Sequence, residues 1–336
     1  MRTIGWSDER GGIITLLDQR QLPHRSEELK ISDHKDLISA IKELAVRGAP
    51  ALGVAGALGV ALISKRAEEA NWSEDQRSAA IKELRAARPT AVNLAWGVDH
   101  VLPLLNKGSA VVLERAQQIA EDDARANKEM GRRGADYLLA VTGKQSLRVL
   151  THCNTGALAT TEWGTAFGVI RELHQRGAII EVFADETRPL LQGSRLTAWE
   201  LSNAGIPYRI LPDGAAASAL FSGQIDAVLI GADRIAHNGD SANKIGSLAV
   251  AVAAHEVSVP FLVVAPESTV DRNLKTGSEI EIEFRSDREV THFGGVEVAP
   301  HGSRTYNPAF DVTPARYITA VVTETNVYEV SKGMTL

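Results

Sequence analysis

The stretch Ala227-Val228-Leu229-Ile230-Gly231-Ala232-Asp233 decides the fold class of this 336-residue chain. Its first four residues are apolar and form a run too short for a helix, so they predict a buried strand of a parallel sheet. Gly231 and Asp233 then end the strand in a turn. Runs of the same kind predict four more strands, at residues 147–152, 179–184, 208–211 and 261–265.

Helical patterns separate these strands. They cover residues 163–176, 195–203, 215–221 and 244–255. Strands that alternate with helices at this spacing are typical of a parallel sheet with right-handed crossover connections. The sequence therefore predicts an α/β fold with a Rossmann-like parallel sheet, to which residues 318–323 add a further strand. Residues 270–308 are rich in glycine, proline and charge and are predicted to be mostly loop.

The N-terminal part of the chain is predicted to be mainly helical. Asp33 and Ser73 are suitable N-caps for two helices, and residues 93–105 and 109–130 predict two more. Residues 3–6 and 12–17 predict a small β-hairpin. Glycines at every third position, Gly53, Gly56 and Gly59, predict a helix face that packs closely against a neighbour. We therefore expect two domains, a helical one at 1–130 and a Rossmann-like catalytic one at 131–336.

The composition excludes several classes of protein. With 36 Lys and Arg against 42 Asp and Glu, the net charge of −6 gives no basic surface for nucleic acid or an anionic membrane. The single cysteine, Cys153, excludes an intrachain disulfide framework and indicates a reducing compartment. No uncharged run reaches the roughly 20 residues of a membrane-spanning helix, and the first ten residues lack the apolar core of a signal peptide. We expect a cytoplasmic protein without nucleic-acid or membrane partners.

Candidate catalytic residues follow the predicted strands. The carboxyl ends of parallel strands meet at one edge of the sheet, where such sheets bind ligands. The residues just beyond these ends include Cys153, Asp185, Asp213, Asp233 and Glu267. Capping of the next helix is the alternative role for any one aspartate. Three aspartates together with the only cysteine instead predict an active site at this edge.

Three cationic residues predict a phosphate site. Lys244 is predicted to open the helix at 244–255, where an anion between the lysine and the positive helix end would explain a cation at that position. A solvated surface lysine is the alternative. Arg47 and Arg88 stand beside Gly48-Ala49-Pro50 and Pro89-Thr90, and an arginine held at such a turn can bind phosphate through two nitrogens.

Other common sites find no support in the sequence. No Gly-x-Gly-x-x-Gly motif follows the first predicted strand of the sheet, and there is no Walker-type loop. The nine histidines lack the spacing of a zinc site. A Cys153–His152 dyad for acyl transfer is disfavoured because adjacent strand residues point to opposite faces.

Longer motifs occur in order along the chain at 16–20, 47–53, 88–94, 151–154, 184–189, 192–200, 231–235, 238–240, 242–246 and 307–314. In these motifs the chain resembles the 5-methylthioribose-1-phosphate isomerase family, the aldose-ketose isomerases of methionine salvage. The resemblance implies a helical N-terminal domain, a Rossmann-like C-terminal domain, a homodimer, and activity without metal or other cofactor. It implies that Cys153 and Asp233 are catalytic. The implied substrate-binding residues are Arg47, Gly48, Ala49, Arg88, Gln192, Asn243 and Lys244.

Two alternatives remain open. The regulatory subunits of the eukaryotic translation-initiation guanine-nucleotide exchange factor share this fold and act as binding modules, but we do not expect them to retain the pair Cys153 and Asp233. Related isomerases act on 5-deoxyribose 1-phosphate or ribose 1,5-bisphosphate. Thr155, Trp163 and His237 depart from the family pattern, and they leave the 5-substituent of the substrate open.

Overall fold

The computed structural model describes residues 2–89 and 92–336, which form two units. The first extends to Arg132 and also contains residues 154–171, and the second contains residues 133–153 and 172–336. Internal contacts define these units, whereas a domain is defined by independent folding, so the predicted domains at 1–130 and 131–336 stay a prediction. Met1, Thr90 and Ala91 lie outside the described residues, and the predicted Arg88-Pro89-Thr90 turn is described only as far as Pro89.

The first unit combines a small antiparallel sheet with helices. Its strands are β1 (Ile4–Ser7), β2 (Ile13–Leu17) and β3 (Glu28–Ile31), in that order. Its helices are α1 (His34–Lys42), α2 (Ala49–Glu69), α3 (Glu74–Arg85), α4 (Val92–Val101) and α5 (Ser109–Thr142), of which α5 continues into residues of the second unit. The predicted hairpin is confirmed as β1 and β2, and β3 is an addition to it. Asp33 and Ser73 cap α1 and α3 through their side chains, as predicted.

Helix α2 is the centre of the first unit's core. Most of its residues are buried, because α1, α3 and α4 pack around it. The predicted glycine face is confirmed: a Cβ added to Gly56 would lie 2.5 Å from the Leu94 carbonyl oxygen of α4. Gly97 of α4 is in still closer contact, since its Cβ would lie 1.9 Å from the Gly53 carbonyl oxygen. The two helix backbones therefore touch where neither carries a side chain.

The second unit contains the predicted Rossmann-like sheet. Its strands are β4 (Leu147–Thr151), β5 (Ile179–Asp185), β6 (Tyr208–Leu211), β7 (Ala227–Ile230), β10 (Phe261–Val264), β15 (Ala320–Val322) and β16 (Val327–Tyr328). The order across the sheet is β16-β15-β10-β7-β4-β5-β6, and every pair is parallel except β15 with β16. The sheet confirms the predicted fold class, and each predicted strand is present within two residues of its predicted bounds.

A smaller sheet and short elements complete the second unit. The four-stranded sheet has the order β11-β8-β9-β14 and consists of β8 (Arg234–Ala236), β9 (Ser241–Lys244), β11 (Val270–Asp271) and β14 (Phe310–Thr313). Strands β12 (His292–Phe293) and β13 (Val296–Glu297) form a hairpin. Helices α6 (Ala166–Gln175), α7 (Ala198–Asn203), α8 (Ala215–Phe221), α9 (Ser247–Glu256) and α10 (Arg288–Thr291) complete the set, and α6 begins among residues of the first unit. Within the described residues, no helix is both long and apolar enough to cross a membrane.

Helices α6 and α9 begin three residues later than predicted, at Ala166 and Ser247, and for α9 the error changes the place of a site residue. Lys244 does not open a helix; it is the last residue of β9, and α9 begins at Ser247 after the N-cap Gly246. Gly246 has a φ of +106°, a left-handed conformation that ends the strand and starts the helix in one residue. The run of apolar residues after Ser247 concealed this boundary, because its helical pattern extends back to Lys244 in the sequence.

Candidate active site

Cys153 and Asp233 follow two neighbouring strands at the place where the strand order reverses. From β4 the chain builds β5 and β6 on one side, and then places β7 on the other side. β4 and β7 are parallel, with Thr151 opposite Leu229, so their carboxyl ends lie together. Open α/β sheets bind ligands at such a reversal, in the crevice beyond the carboxyl ends of the two strands.

The backbone of Cys153 is held on both sides. Its N–H donates to Thr187 Oγ1 over 2.9 Å, and its carbonyl accepts from Thr197 Oγ1 over 2.6 Å. The residue is buried and has a φ of +65°. That left-handed conformation costs a residue with a Cβ roughly 1–2 kcal/mol, and the two threonine contacts help to maintain it. The turn thus fixes the direction in which the thiol leaves the strand end.

Asp233 directly precedes β8 and is hydrogen-bonded to β9 in the smaller sheet. The Asp233 N–H donates to the Ala242 carbonyl over 2.9 Å, and Arg234 pairs with Ala242 in the β8–β9 hairpin. Asp233 and Arg234 thus both lie opposite Ala242, as in a β-bulge, and Asn243, the next residue of β9, pairs with Asp311 of β14. Two predicted site residues, one catalytic and one substrate-binding, therefore lie on either side of the Ala242 pairing at the same end of the hairpin, and their joint action stays a prediction.

Lys244 lies on the other face of β9 from Asn243, because adjacent strand residues alternate. Its Nζ donates to the Ala309 carbonyl over 2.8 Å and lies 4.4 Å from the centre of the Phe310 ring. The side chain is only 9% exposed, so the alternative of a solvated surface lysine is wrong. The start of α9 is occupied by an anionic group of the protein itself, since Asp311 accepts from the N–H groups of Gly246 and Leu248. The predicted anion between Lys244 and the helix start therefore has no place there.

Gln192 is buried at the turn beyond β5. The next residue, Gly193, touches the strand end so closely that an added Cβ would lie 1.6 Å from the Asp185 carbonyl oxygen. The Gln192 Oε1 atom is buried and has no hydrogen-bond partner among the described residues. Asp213, beyond β6, caps this turn by accepting from the N–H groups of Thr187 and Arg188, each over 2.7 Å. Asp213 therefore stabilises the turn after β5 and does not cap the next helix, α8, whose N-cap is Gly214.

The sequence did not predict the buried pair of His152 and Asp185. Their Nδ1 and Oδ2 atoms are 2.9 Å apart, and His152 Nε2 lies 2.8 Å from the Ile245 carbonyl oxygen. Burial lowers the pKa of His152, but the hydrogen bond and the charge of Asp185 outweigh it and raise that pKa overall. Burial also raises the pKa of Asp185, against the opposing effect of His152. Both directions indicate that the pair retains a proton between Nδ1 and Oδ2.

A metal ion does not fit this cluster as it stands. His152, Asp185 and Asp213 offer ligand atoms that lie within 4.8 Å of one another. Both ring nitrogens of His152 are already hydrogen-bonded to oxygen atoms, so the ring presents no lone pair to a cation. The geometry is that of a proton-sharing structural pair.

The remaining predicted residues belong to the first unit. Gly48 is the N-cap of α2 and has a φ of +94°, and its added Cβ would lie 2.4 Å from the Ala159 carbonyl oxygen. Ala49 begins the helix, where the first backbone N–H groups have no partner within the helix. Arg47 and Arg88 are half-buried. Arg47, Gly48 and Ala49 are thus consecutive at the positive end of α2, as a phosphate site would require.

Comparison with known proteins places this arrangement in a family. The model of the initiation factor 2 subunit family matches residues 45–329. The chain belongs to that family. A methylthioribose-1-phosphate isomerase of Caldanaerobacter subterraneus is 46% identical over 97% of this chain and 96% of its own length. A probable bifunctional methylthioribose-1-phosphate isomerase/methylthioribulose-1-phosphate dehydratase of Nocardia farcinica is 50% identical over 97% of this chain, which spans only 58% of that protein.

Two solved structures share the fold. The 5-methylthioribose 1-phosphate isomerase of Pyrococcus horikoshii matches with a TM-score of 0.87 and 39% identity, over 98% of this chain and 92% of that one. A protein of A. fulgidus described as subunit delta of the translation initiation factor eIF-2B matches with a TM-score of 0.84 and 39% identity, over 98% and 96%. The same fold and the same degree of identity thus occur in a structure described as an isomerase and in one described as a translation initiation factor subunit.

Proposed function

We propose that this chain is a 5-methylthioribose-1-phosphate isomerase, which converts that aldose phosphate to 5-methylthioribulose 1-phosphate in methionine salvage. The observation that carries the proposal is the position of Cys153 and Asp233 beyond β4 and β7, the two strands between which the sheet order reverses. The relatives named methylthioribose-1-phosphate isomerase support the substrate.

The substrate sets a specific chemical problem. Its anomeric oxygen is esterified to phosphate, so the ring does not open spontaneously to a free aldehyde as in an ordinary sugar. An enzyme must protonate the ring oxygen as its bond to C1 breaks, and must then move hydrogen from C2 to C1 while the phosphate stays attached. The C2 hydroxyl loses its proton as the ketone forms, so one proton enters and one leaves, and there is no net oxidation.

In the proposal, Asp233 and Cys153 carry out different proton transfers of this reaction. Asp233 acts as the general acid toward the ring oxygen, for which it must hold a proton near neutral pH. Its half-buried position just beyond the end of β7 supports that role, because it places the carboxyl at the crevice where such sheets bind ligands. Cys153 shuttles a proton at C2 from its fixed turn.

Predicted binding residues of the chain hold the substrate in the proposal. Arg47 and Arg88 bind the phosphate together with the backbone of Gly48 and Ala49 at the positive end of α2. Gln192 and Asn243 complete the contacts, and Lys244, on the other face of β9, contacts Ala309 and Phe310. The Oε1 of Gln192, buried and without a partner among the described residues, supports its assignment, since a sugar hydroxyl would supply the missing donor.

The test is a comparison of kcat/KM for the methylthio, 5-deoxy and 1,5-bisphosphate substrates, with ketose formation measured directly. We expect the methylthio substrate to react fastest. In Asp233→Asn we expect turnover to fall about a thousandfold and the dissociation constant to change little, because only proton transfer is removed. Asp226→Asn is the matched control, since Asp226 lies before the opposite end of the same strand β7 and should leave kcat unchanged. Near-normal turnover in Asp233→Asn would remove Asp233 from the mechanism.

A regulatory binding module is the second candidate function, favoured by the likeness to the A. fulgidus structure described as an eIF-2B subunit. A chain of this kind would turn over none of the three sugar phosphates. Wild-type ketose formation that is lost in Asp233→Asn distinguishes the enzyme from the binding module. The homodimer and the cytoplasmic location implied by the resemblance also remain proposals.

A further inference from the structure

His152 connects three segments that carry proposed site residues. It follows β4 and immediately precedes Cys153, and its side chain is fully buried. Through Nδ1 it meets Asp185 at the end of β5, and through Nε2 it meets the carbonyl of Ile245, the residue after Lys244. The His152 ring therefore connects the end of β4 with the ends of β5 and β9.

Each of these two contacts lies close in the chain to a proposed site residue or to a residue that contacts one. Asp185 is two residues before Thr187, whose hydroxyl accepts from the Cys153 N–H and donates to the Asp185 carbonyl over 3.1 Å. The neighbour of Ile245 on the other side is Gly246, and an added Cβ there would lie 2.8 Å from Cε1 of the His152 ring. The ring thus fills the space between the turn of Cys153 and the end of β9.

The hydrogen-bond pattern fixes the protons of this ring. A backbone carbonyl only accepts, so Nε2 carries a hydrogen and donates it to Ile245. The contact between Nδ1 and Asp185 Oδ2 then requires a second proton, shared between ring and carboxyl. Asp213 and Asp311 add negative charge around the ring, and Glu186 acts on Asp185. Both ring nitrogens are therefore committed to structural hydrogen bonds, and His152 is not available as a base toward substrate.

We propose that His152 is a positioning residue for Cys153, and that its two hydrogen bonds hold the Cys153 turn at a fixed distance from the segment of Asn243 and Lys244. This inference rests on the proposed function, because the position of Cys153 matters for turnover only if Cys153 reacts. The left-handed backbone of Cys153 makes such restraint necessary, since a turn of this kind relaxes when its contacts are removed.

The test uses the fact that Cys153 is the single cysteine of the chain, so iodoacetamide alkylation measures the freedom of this one thiol. Three variants are compared with wild type. His152→Ala removes both hydrogen bonds. His152→Gln keeps an amide N–H near the place of Nε2 for Ile245. His301→Gln is the control, since the His301 side chain is 96% exposed.

In His152→Ala we expect alkylation about tenfold faster than in wild type, because the turn opens. We expect kcat about a hundredfold lower, with KM changed much less, because the reacting group is displaced rather than the binding groups. His152→Gln should lie between His152→Ala and wild type in both measurements, and His301→Gln should match wild type. A purely structural role would lower the melting temperature and leave both the alkylation rate and kcat of the folded protein unchanged.

A wild-type alkylation rate in a folded His152→Ala or His152→Gln protein, judged by near-ultraviolet circular dichroism, would overturn the inference. If His152→Ala does not fold, His152→Gln alone decides, and alkylation no faster than wild type contradicts the positioning role. Alkylation needs no substrate. A wild-type protein without isomerase activity would therefore reject the proposed function, while the alkylation series would still report on His152.

Discussion

At the scale of single residues, the backbone conformation before α2 requires a glycine at position 48. Its φ of +94° is accessible to glycine, and an added Cβ would lie 2.4 Å from the Ala159 carbonyl oxygen. We therefore expect Gly48→Ala to lower the free energy of unfolding by about 3 kcal/mol, from backbone strain and steric overlap together. Urea denaturation at 25 °C measures this loss.

Gly143→Ala separates the two causes. Gly143 has a φ of +64°, also left-handed, but an added Cβ there would meet nothing within 4 Å. We expect it to cost about 1 kcal/mol, the strain alone. Equal losses in Gly48→Ala and Gly143→Ala would show that the contact with Ala159 relaxes at no cost.

The strand-end positions of Cys153 and Asp233 were predictable from the sequence, but the backbone conformations around the candidate site residues were not. Cys153 and Asp233 were found because strand ends are visible as the ends of apolar runs. Lys244 was placed on a helix because helical periodicity continues across Gly246, and only the backbone shows the left-handed turn there. The role of His152 depends on Asp185 and Ile245, which lie 33 and 93 residues away and leave no local signal.

At the scale of secondary-structure elements, Asp226 joins the beginnings of β4 and β7. Its carboxylate accepts from the backbone and side chain of Arg148 and from Lys144, and its side chain is 3% exposed. Burial alone would raise the pKa of Asp226, but the hydrogen bonds from Arg148 and Lys144 lower it to about 2. A carboxyl whose folded pKa is depressed stabilises the fold above its unfolded pKa, and this stabilisation is lost as the pH falls toward 2.

We therefore expect Asp226→Asn to lower the free energy of unfolding by about 2 kcal/mol at pH 7, from the depression of its pKa. The difference between variant and wild type should shrink steadily from pH 5 to pH 2. Asp99→Asn is the control, because the Asp99–Arg85 ion pair is about half exposed and should contribute less than about 1 kcal/mol. A loss in Asp226→Asn that is the same at pH 7 and pH 2.5 would contradict the electrostatic origin.

The contact between α2 and α4 gives a second prediction at this scale. In Gly97→Ala the new Cβ would lie 1.9 Å from the Gly53 carbonyl oxygen, so the helices must separate, and we expect a loss of about 3 kcal/mol. In Gly53→Ala the nearest atom is 3.3 Å away, and the gain in helix propensity, about 1 kcal/mol, should offset the tight contact. Thermal unfolding monitored by circular dichroism compares the two, and a Gly53→Ala loss as large as that of Gly97→Ala would be inconsistent with this geometry.

Elements were predictable where one physical signal dominated. Buried parallel strands are continuous apolar runs, so β7 has the predicted bounds. β6 also has the predicted bounds, but it is mostly exposed because it is the edge strand of the sheet, so the prediction that it is buried is wrong. Strand β9 was missed because Ser241-Ala242-Asn243-Lys244 has no apolar run, and its pairing with β14 is supplied by residues far along the chain. Strand β3 has alternating charged and apolar residues, a signal that was present and that indicates a half-exposed strand.

At the scale of the whole molecule, we expect a homodimer in solution. Light scattering should give a mass near twice the 36.1 kDa of the chain. Phe284 and Tyr306 support association, because they form an edge-to-face aromatic pair while 61% and 83% exposed, and exposed aromatic groups are typical of contact surfaces. A mass of one chain at micromolar concentration would contradict the expectation. The sequence predicts the dimer only through the family resemblance, because the surfaces that associate form only when the chain folds.

The pairing of β9 with β14 has a consequence for how the protein is made. Lys244 and the first turn of α9 obtain their partners from Ala309, Phe310 and Asp311, more than sixty residues later in the chain. At a synthesis rate of roughly 5–20 residues per second, the ribosome releases these partners about 3 to 13 seconds after the lysine. During that interval the ammonium group of Lys244, which is buried in the folded protein, stays in water. This part of the protein therefore completes its assembly only near the end of translation.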